Sequence, residues 1–186
     1  MQTGLEALWL PIVVSGIVLF FASWAAWMLL PHHKADWKGL PNELAFETMV
    51  RDAGIAPGQY MFPHCPTPEE WKSEAFHARL KAGPNGLLFV WKPGGGMGLN
   101  MLLTFLLFTA ISFVIAYLAG MVIPPGADRW FVFRFVGTAA ILVYATSGLL
   151  NAIWFRRKIT GDILDGIVYG LLTGAAFALL WPGTAT

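Results

Sequence analysis

The sequence predicts an all-α membrane protein: four transmembrane helices, with a cytoplasmic loop subdomain between the first and the second. Three observations predict it. The chain of 186 residues is 56% hydrophobic and only 12% charged, against ~25% charged in soluble domains. Its apolar residues gather into long runs, each above the ~17 residues that cross ~30 Å of hydrocarbon. Those runs lack the alternation of barrel strands, so helices are the structure that satisfies their backbone in lipid.

Residues 1–30 form the first element, with a spanning run from Leu8 to Leu30 stopped by Pro31. It reads as a retained helix. A signal peptide opens on a basic segment, and MQTGLEAL carries Glu6 and no Lys or Arg. Residues 31–98 are the soluble part. Asn42 to Ala53 predicts a short helix, with Asn42 as cap and Gly54 as stop. Thr67 to Ala82 predicts a second, with Thr67 as cap, Pro68 in the first turn, and Glu69 and Glu70 at the positive helix end. Between them, GIAPGQYMFPHCP is turn-rich, with Tyr60, Met61 and Phe62 as apolar anchors. Gly86 to Lys92 is too short to span and reads as a strand or a segment lying on the bilayer. PGGGMG at 93–98 reads as a hinge, since it lacks the Lys-Ser/Thr of a phosphate loop. This segment is too small to bury much core alone, so packing on the membrane face of the bundle is expected.

Residues 99–186 hold the other three spans: Leu99 to Ile123, Phe131 to Phe155, and Ile163 to Leu180. Trp9, Trp27, Trp130, Trp154 and Trp181 sit at run ends, where indole prefers the headgroup level. Lys34, Lys38, Arg51, Lys72, Arg79, Lys81 and Lys92 share one side with Arg156, Arg157 and Lys158, against Arg129 and Arg134 on the other. That bias predicts cytoplasmic basic loops and both termini periplasmic. The net charge of +1 gives no reason to expect a nucleic-acid partner.

The strongest pattern lies in the last span. Gly166, Gly170, Gly174 and Ala178 recur every four residues, which on a helix is one smooth groove, a glycine zipper. It predicts close helix packing, either within the subunit or between subunits. Thr104, Ser112, Ala116 and Gly120 give the second span a weaker row, making that span the expected partner. Beside the groove, Asp165, Tyr169 and Thr173 form a polar stripe at the same interval. Intramembrane carboxylates face protein interiors and often mark ion or proton paths. Capping or structural pairing is the favoured reading of Asp162 and Asp165, capping fitting Asp162 well, and a conduction role is the alternative. Asn151 is a candidate partner for either carboxylate, and Arg134, near the other end of the third span, either snorkels, pairs with Asp128 or lines a vestibule.

His32, His33, His64, Cys65 and His77 are the metal-type side chains of the loop. No CxxC, HxxxH or HExxH spacing joins them, and no span holds a histidine for haem. The sequence therefore predicts no metal site, no cofactor and no catalytic set. The lone Cys65 forms no internal disulfide.

Two stretches, PGQYMFPHC at 57–65 and DGIVYGLLTGAAFALLWP at 165–182, resemble a group of small four-span bacterial inner-membrane proteins of unassigned function. The resemblance implies a bacterial inner membrane and no particular activity. The functional expectation is a non-enzymatic multi-pass protein surrounded by membrane lipids, acting as a homo-oligomer or an accessory subunit of a membrane complex. The alternative is a small channel or transporter using Asp165, Tyr169, Thr173, Asn151 and Arg134. A lipid-directed enzyme using His64, Cys65 or His77 is a third class with no catalytic set behind it.

Overall fold

The computed structural model describes residues 3–183. Its chain divides into two compact units, one of residues 1–37 and 96–186 and the other Lys38–Gly95. The first unit holds four helices long and apolar enough to cross a membrane.

Helix α1 (Trp9–Met28) starts after a single 3-10 turn at Leu5–Ala7. Pro11 falls in its first turn, where a missing N–H leaves no helical bond unmade. Helix α5 (Met97–Val122) ends at Ile123, which turns extended ahead of Pro124, as residues before proline do. Helix α6 (Arg129–Thr146) is capped by Asp128, whose carboxylate accepts from the Phe131 N–H at 2.9 Å. The third apolar run, Arg129–Phe155, is one candidate span with a turn inside it. It breaks at Ser147 and Gly148 and resumes as α7 (Leu149–Phe155), which ends on Arg156 in the left-handed region at φ 53°. Helix α8 (Thr160–Leu180) then closes the bundle.

The glycine groove of α8 lies on α6, not on the second span. A Cβ added to Gly166 would stand 2.5 Å from the Ala145 Cα, and one on Gly170 would stand 2.6 Å from the Ile141 amide nitrogen. One on Gly174 would meet the Gly137 Cα at 2.9 Å. Gly137, Ile141 and Ala145 recur every four residues on α6, so two matching rows meet backbone to backbone. The small row of α5 is used elsewhere. A Cβ on Gly120 would lie 2.5 Å from the Thr3 carbonyl oxygen, and the Thr3 N–H donates to the Gly120 carbonyl at 3.0 Å. At Gly120 the N-terminal segment thus takes the end of the row whose spacing predicts contact with α8.

The two ends of the bundle differ. At one end, Thr3 bonds to Gly120 and Ile123, the Gly126 N–H donates to Pro182, and Trp181 Nε1 donates to the Pro124 carbonyl at 3.0 Å. Leu8, Ile12, Ile115, Ile123, Val132, Val136 and Phe177 form the buried apolar core toward this end. The other end gathers the exit of α1, the loop to Trp37 and the start of α8, and it is polar.

The second unit contains α2 (Glu43–Asp52), β1 (Gly58–Phe62), α3 (Pro68–Trp71), α4 (Glu74–Ala82) and β2 (Gly86–Val90). Asn42 caps α2 by accepting from the Ala45 N–H, and Gly54 follows its end at φ 63°. The helix expected over Thr67–Ala82 is two. Ser73 turns extended and takes the Phe76 N–H at 3.2 Å, beginning a new helix of its own. The turn-rich stretch before it carries a strand. β1 pairs antiparallel with β2, Tyr60 opposite Leu88, so the strand reading of Gly86 to Lys92 holds and the extended PGQYMF stretch is its partner.

Candidate functional site

The polar end of the helical unit is organised around Asp165. This carboxylate lies one turn and a half into α8 and keeps 10% of its side-chain surface exposed. Three side chains converge on it. His32 Nε2 lies 2.8 Å from Oδ1, His33 Nε2 lies 3.0 Å from Oδ2, and the Tyr169 hydroxyl donates to Oδ2 at 3.1 Å. Tyr169 comes from the next turn of the same helix. The histidines come from the loop after α1, more than 130 residues away in sequence.

Local structure explains why the loop reaches α8. Pro31 ends α1 and starts tight turns, with the Lys34 N–H donating to Pro31 and the Asp36 N–H to His33, each at 3.0 Å. The turns fold Asp36 back onto His33, where the Nδ1–Oδ2 distance is 2.9 Å. The His33 ring stacks on Trp27 of α1, with centroids 4.0 Å apart and planes within 7°. On its other side the ring rests on the start of α8. A Cβ on Gly161 would stand 2.7 Å from His33 Cε1, so only glycine admits the ring there. Lys158 closes the group by pairing with Asp36 Oδ1 at 3.1 Å and donating to the Ala35 carbonyl. Arg157 pairs separately with Asp162 at 3.2 Å.

The electrostatics follow from this geometry. His33 is 4% exposed and both of its nitrogens face carboxylate oxygens. A neutral imidazole has one donor and one acceptor, so one nitrogen would point a lone pair at an anion. The arrangement calls for positive charge at His33 or between it and Asp165. Burial pushes the His33 imidazole toward its neutral form, but the hydrogen bonds to Asp165 and Asp36 outweigh burial and raise its pKa above the ordinary value. The hydrogen bond from His33, then that from Lys158, holds the Asp36 carboxyl below the ordinary carboxylate range.

Deeper in the bundle, the Thr173 hydroxyl donates to the Tyr169 carbonyl at 2.8 Å. Tyr144 of α6, Tyr169 of α8 and Phe108 of α5 meet edge to face, with centroids 5.7–6.1 Å apart. The hydroxyls of Tyr144, Ser112 and Ser15 are buried without a hydrogen-bond partner. Ser112 and Thr173 stand close to the Tyr144 hydroxyl without reaching hydrogen-bond geometry. Polar atoms therefore continue from the Asp165 group to mid-bundle, and beyond them the core is apolar.

The structure brings Asp165, Tyr169 and Thr173 together on the buried face of α8, as their spacing expects. Arg134 and Asn151 stand apart from that group. Both are exposed, and Asn151 belongs to α7, beyond the turn that follows α6. His64, Cys65 and His77 do not converge. The Cys65 thiol donates to the Thr67 carbonyl, and His77 lies edge-on to Trp71. Among the described residues, the one group of three metal-type ligands is His32, His33 and Asp165. In the sequence, His32 and His33 read only as loop residues. The available signals were a His-His pair directly behind a helix-ending proline and an unpaired carboxylate in the last span.

Comparison with family models, with curated proteins and with solved structures returns no match for this chain.

Proposed function

We propose that this chain is an integral protein of the bacterial inner membrane that handles a cation at the Asp165 group and along the polar stripe of its last helix. The four helices cross the bilayer, both termini are periplasmic, and residues 31–98 and the basic turn at 156–158 are cytoplasmic. Helix lengths and the clustering of Lys and Arg beside the Asp165 end support that placement, as does the resemblance of residues 57–65 and 165–182. One observation carries the functional reading. A buried carboxylate with two histidines at the mouth continues inward through Tyr169 to hydroxyls that have no partner. Buried polar groups are nearly always paired, with protein or with water, so this row points to water and charge entering the bundle.

The test is flux in proteoliposomes holding the purified full chain. Under an imposed membrane potential, vesicles are expected to pass protons or a divalent metal ion faster than empty ones. Asp165→Asn, checked for folding by size exclusion, is expected to lower that flux at least ~10-fold. Equal leakage from empty and loaded vesicles would overturn the reading. A second reading, a non-enzymatic accessory subunit or homo-oligomer, draws support from the apolar half of the core, which closes the row before it crosses. Native mass measurement in detergent separates the two: a stable assembly without flux favours the accessory role.

A further inference from the structure

We propose that His32, His33 and Asp165 form a binding site for a first-row divalent transition-metal ion, the cation class handled at the mouth of the bundle. This rests on the cation reading above for its transport meaning, but the binding site stands on its own geometry.

The donor set is two imidazole nitrogens and a carboxylate. Such ligands suit zinc, iron, cobalt or nickel, whereas magnesium and calcium prefer shells of oxygen. One donor atom from each residue lies within 4.8 Å of the others. Ligands of a tetrahedral ion with bonds of ~2.0–2.1 Å stand ~3.3 Å apart, so the three donors would draw together around an ion. Three protein ligands leave a further position open to water, the arrangement of exchangeable sites rather than of closed structural ones.

Support around the ligands has the form a metal site needs. His33 presents Nε2 to the centre while Nδ1 is held by Asp36 at 2.9 Å. A carboxylate on the far nitrogen orients a ligating imidazole, fixes its tautomer and makes it a better donor. Asp36 is in turn held by Lys158, Trp27 covers one face of the ring and Gly161 admits the other. An ion between His33 Nε2 and Asp165 would take the place of the hydrogen bond that now joins them at 3.0 Å. His32, the most open of the three at 23% of its side-chain surface, stands where an ion would enter.

Full-length protein, purified without a polyhistidine tag and stripped by chelator, is equilibrated with zinc ion and assayed by calorimetry and bound-metal analysis. Saturable binding of one zinc ion per chain is expected, with Cys65→Ser and His64→Ala unchanged. His32→Ala, the variant least disturbing to the core, is expected to bind at least ~10-fold more weakly. Asp36→Ala is expected to lose ~10- to 100-fold through the orientation of His33. Cobalt ion should give the visible ligand-field absorption of a site with nitrogen and oxygen ligands, lost in His32→Ala. No saturable binding, or binding that survives His32→Ala unchanged, would overturn the proposal. Flux without metal binding ends this inference and leaves the cation reading; metal binding without flux does the reverse.

Discussion

The two ends of one helical bundle solve packing in opposite ways. Toward the termini, Leu8, Ile12, Ile123, Val132, Val136 and Phe177 fill the core with apolar atoms, and hydrogen bonds there are mostly backbone bonds that close the ends. Toward the Asp165 end, the interior holds a carboxylate, two histidines, two tyrosines and several hydroxyls, some of them unpaired. The same α6–α8 contact runs through both ends. The glycines of α8 approach α6 closely, and polar side chains sit beside the groove rather than in it. Close packing and polar chemistry thus fall on separate faces of α8.

Breaking the shared contact should have the largest effect. Gly170→Leu forces a branched side chain into the backbone of Ile141, where even a Cβ would be too close. Overpacking typically costs ~1–3 kcal/mol and occasionally more, and with backbone on the other side the upper end or beyond is expected. The reading is a thermal melt in detergent beside Leu171→Ile, which changes an exposed neighbour and should leave the melt nearly unchanged. Equal melts for wild type and Gly170→Leu would mean that α6 and α8 do not meet there.

Emptying the apolar end comes next. Phe177 is fully buried, and Phe177→Ala is expected to destabilise by about 3 kcal/mol, the lower end for large aromatic truncations. Flux or metal binding measured below the melting temperature should survive it better than it survives changes at Asp165. If Phe177→Ala instead raises flux, the apolar end is the barrier that closes the polar row.

The smallest effect on stability, and the sharpest contrast, belongs to Tyr144→Phe. Its hydroxyl is buried without a partner, so removing it relieves a desolvated group. The melt should stay within ~0.5 kcal/mol of wild type or rise, while flux along the row falls. A loss of more than ~1 kcal/mol would show that the hydroxyl is already satisfied, and that the row is a structural network rather than a path.

Much of the helical frame is legible in the sequence, because run length and proline stops act locally. Pro31, Pro124 and Pro182 mark helix ends within a few residues of where they fall. The break after Thr146 is not legible from hydropathy, since Ser147 and Gly148 interrupt an apolar run without changing its average. Ser73 hides in the same way inside an expected helix, although its hydroxyl is a cap signal.

For the site, the stripe of Asp165, Tyr169 and Thr173 and the groove of Gly166, Gly170, Gly174 and Ala178 are legible in the sequence, because residues four apart share one face of a helix whatever surrounds it. Only the tertiary structure decides what meets each face. Small residues on α5 and α6 offer α8 two similar surfaces. On α6, Gly137, Ile141 and Ala145 match the groove, while α5 meets α1 at Thr109 and the N-terminal segment at Gly120. The joining of His32 and His33 to Asp165 is likewise invisible in one dimension. It needs Pro31 to turn the chain, Trp27 to back the ring and Gly161 to leave room for it. Periodicity records the neighbours of a residue along its own helix; contacts across 132 and 133 residues depend on how helices pack, and packing is a property of the whole bundle.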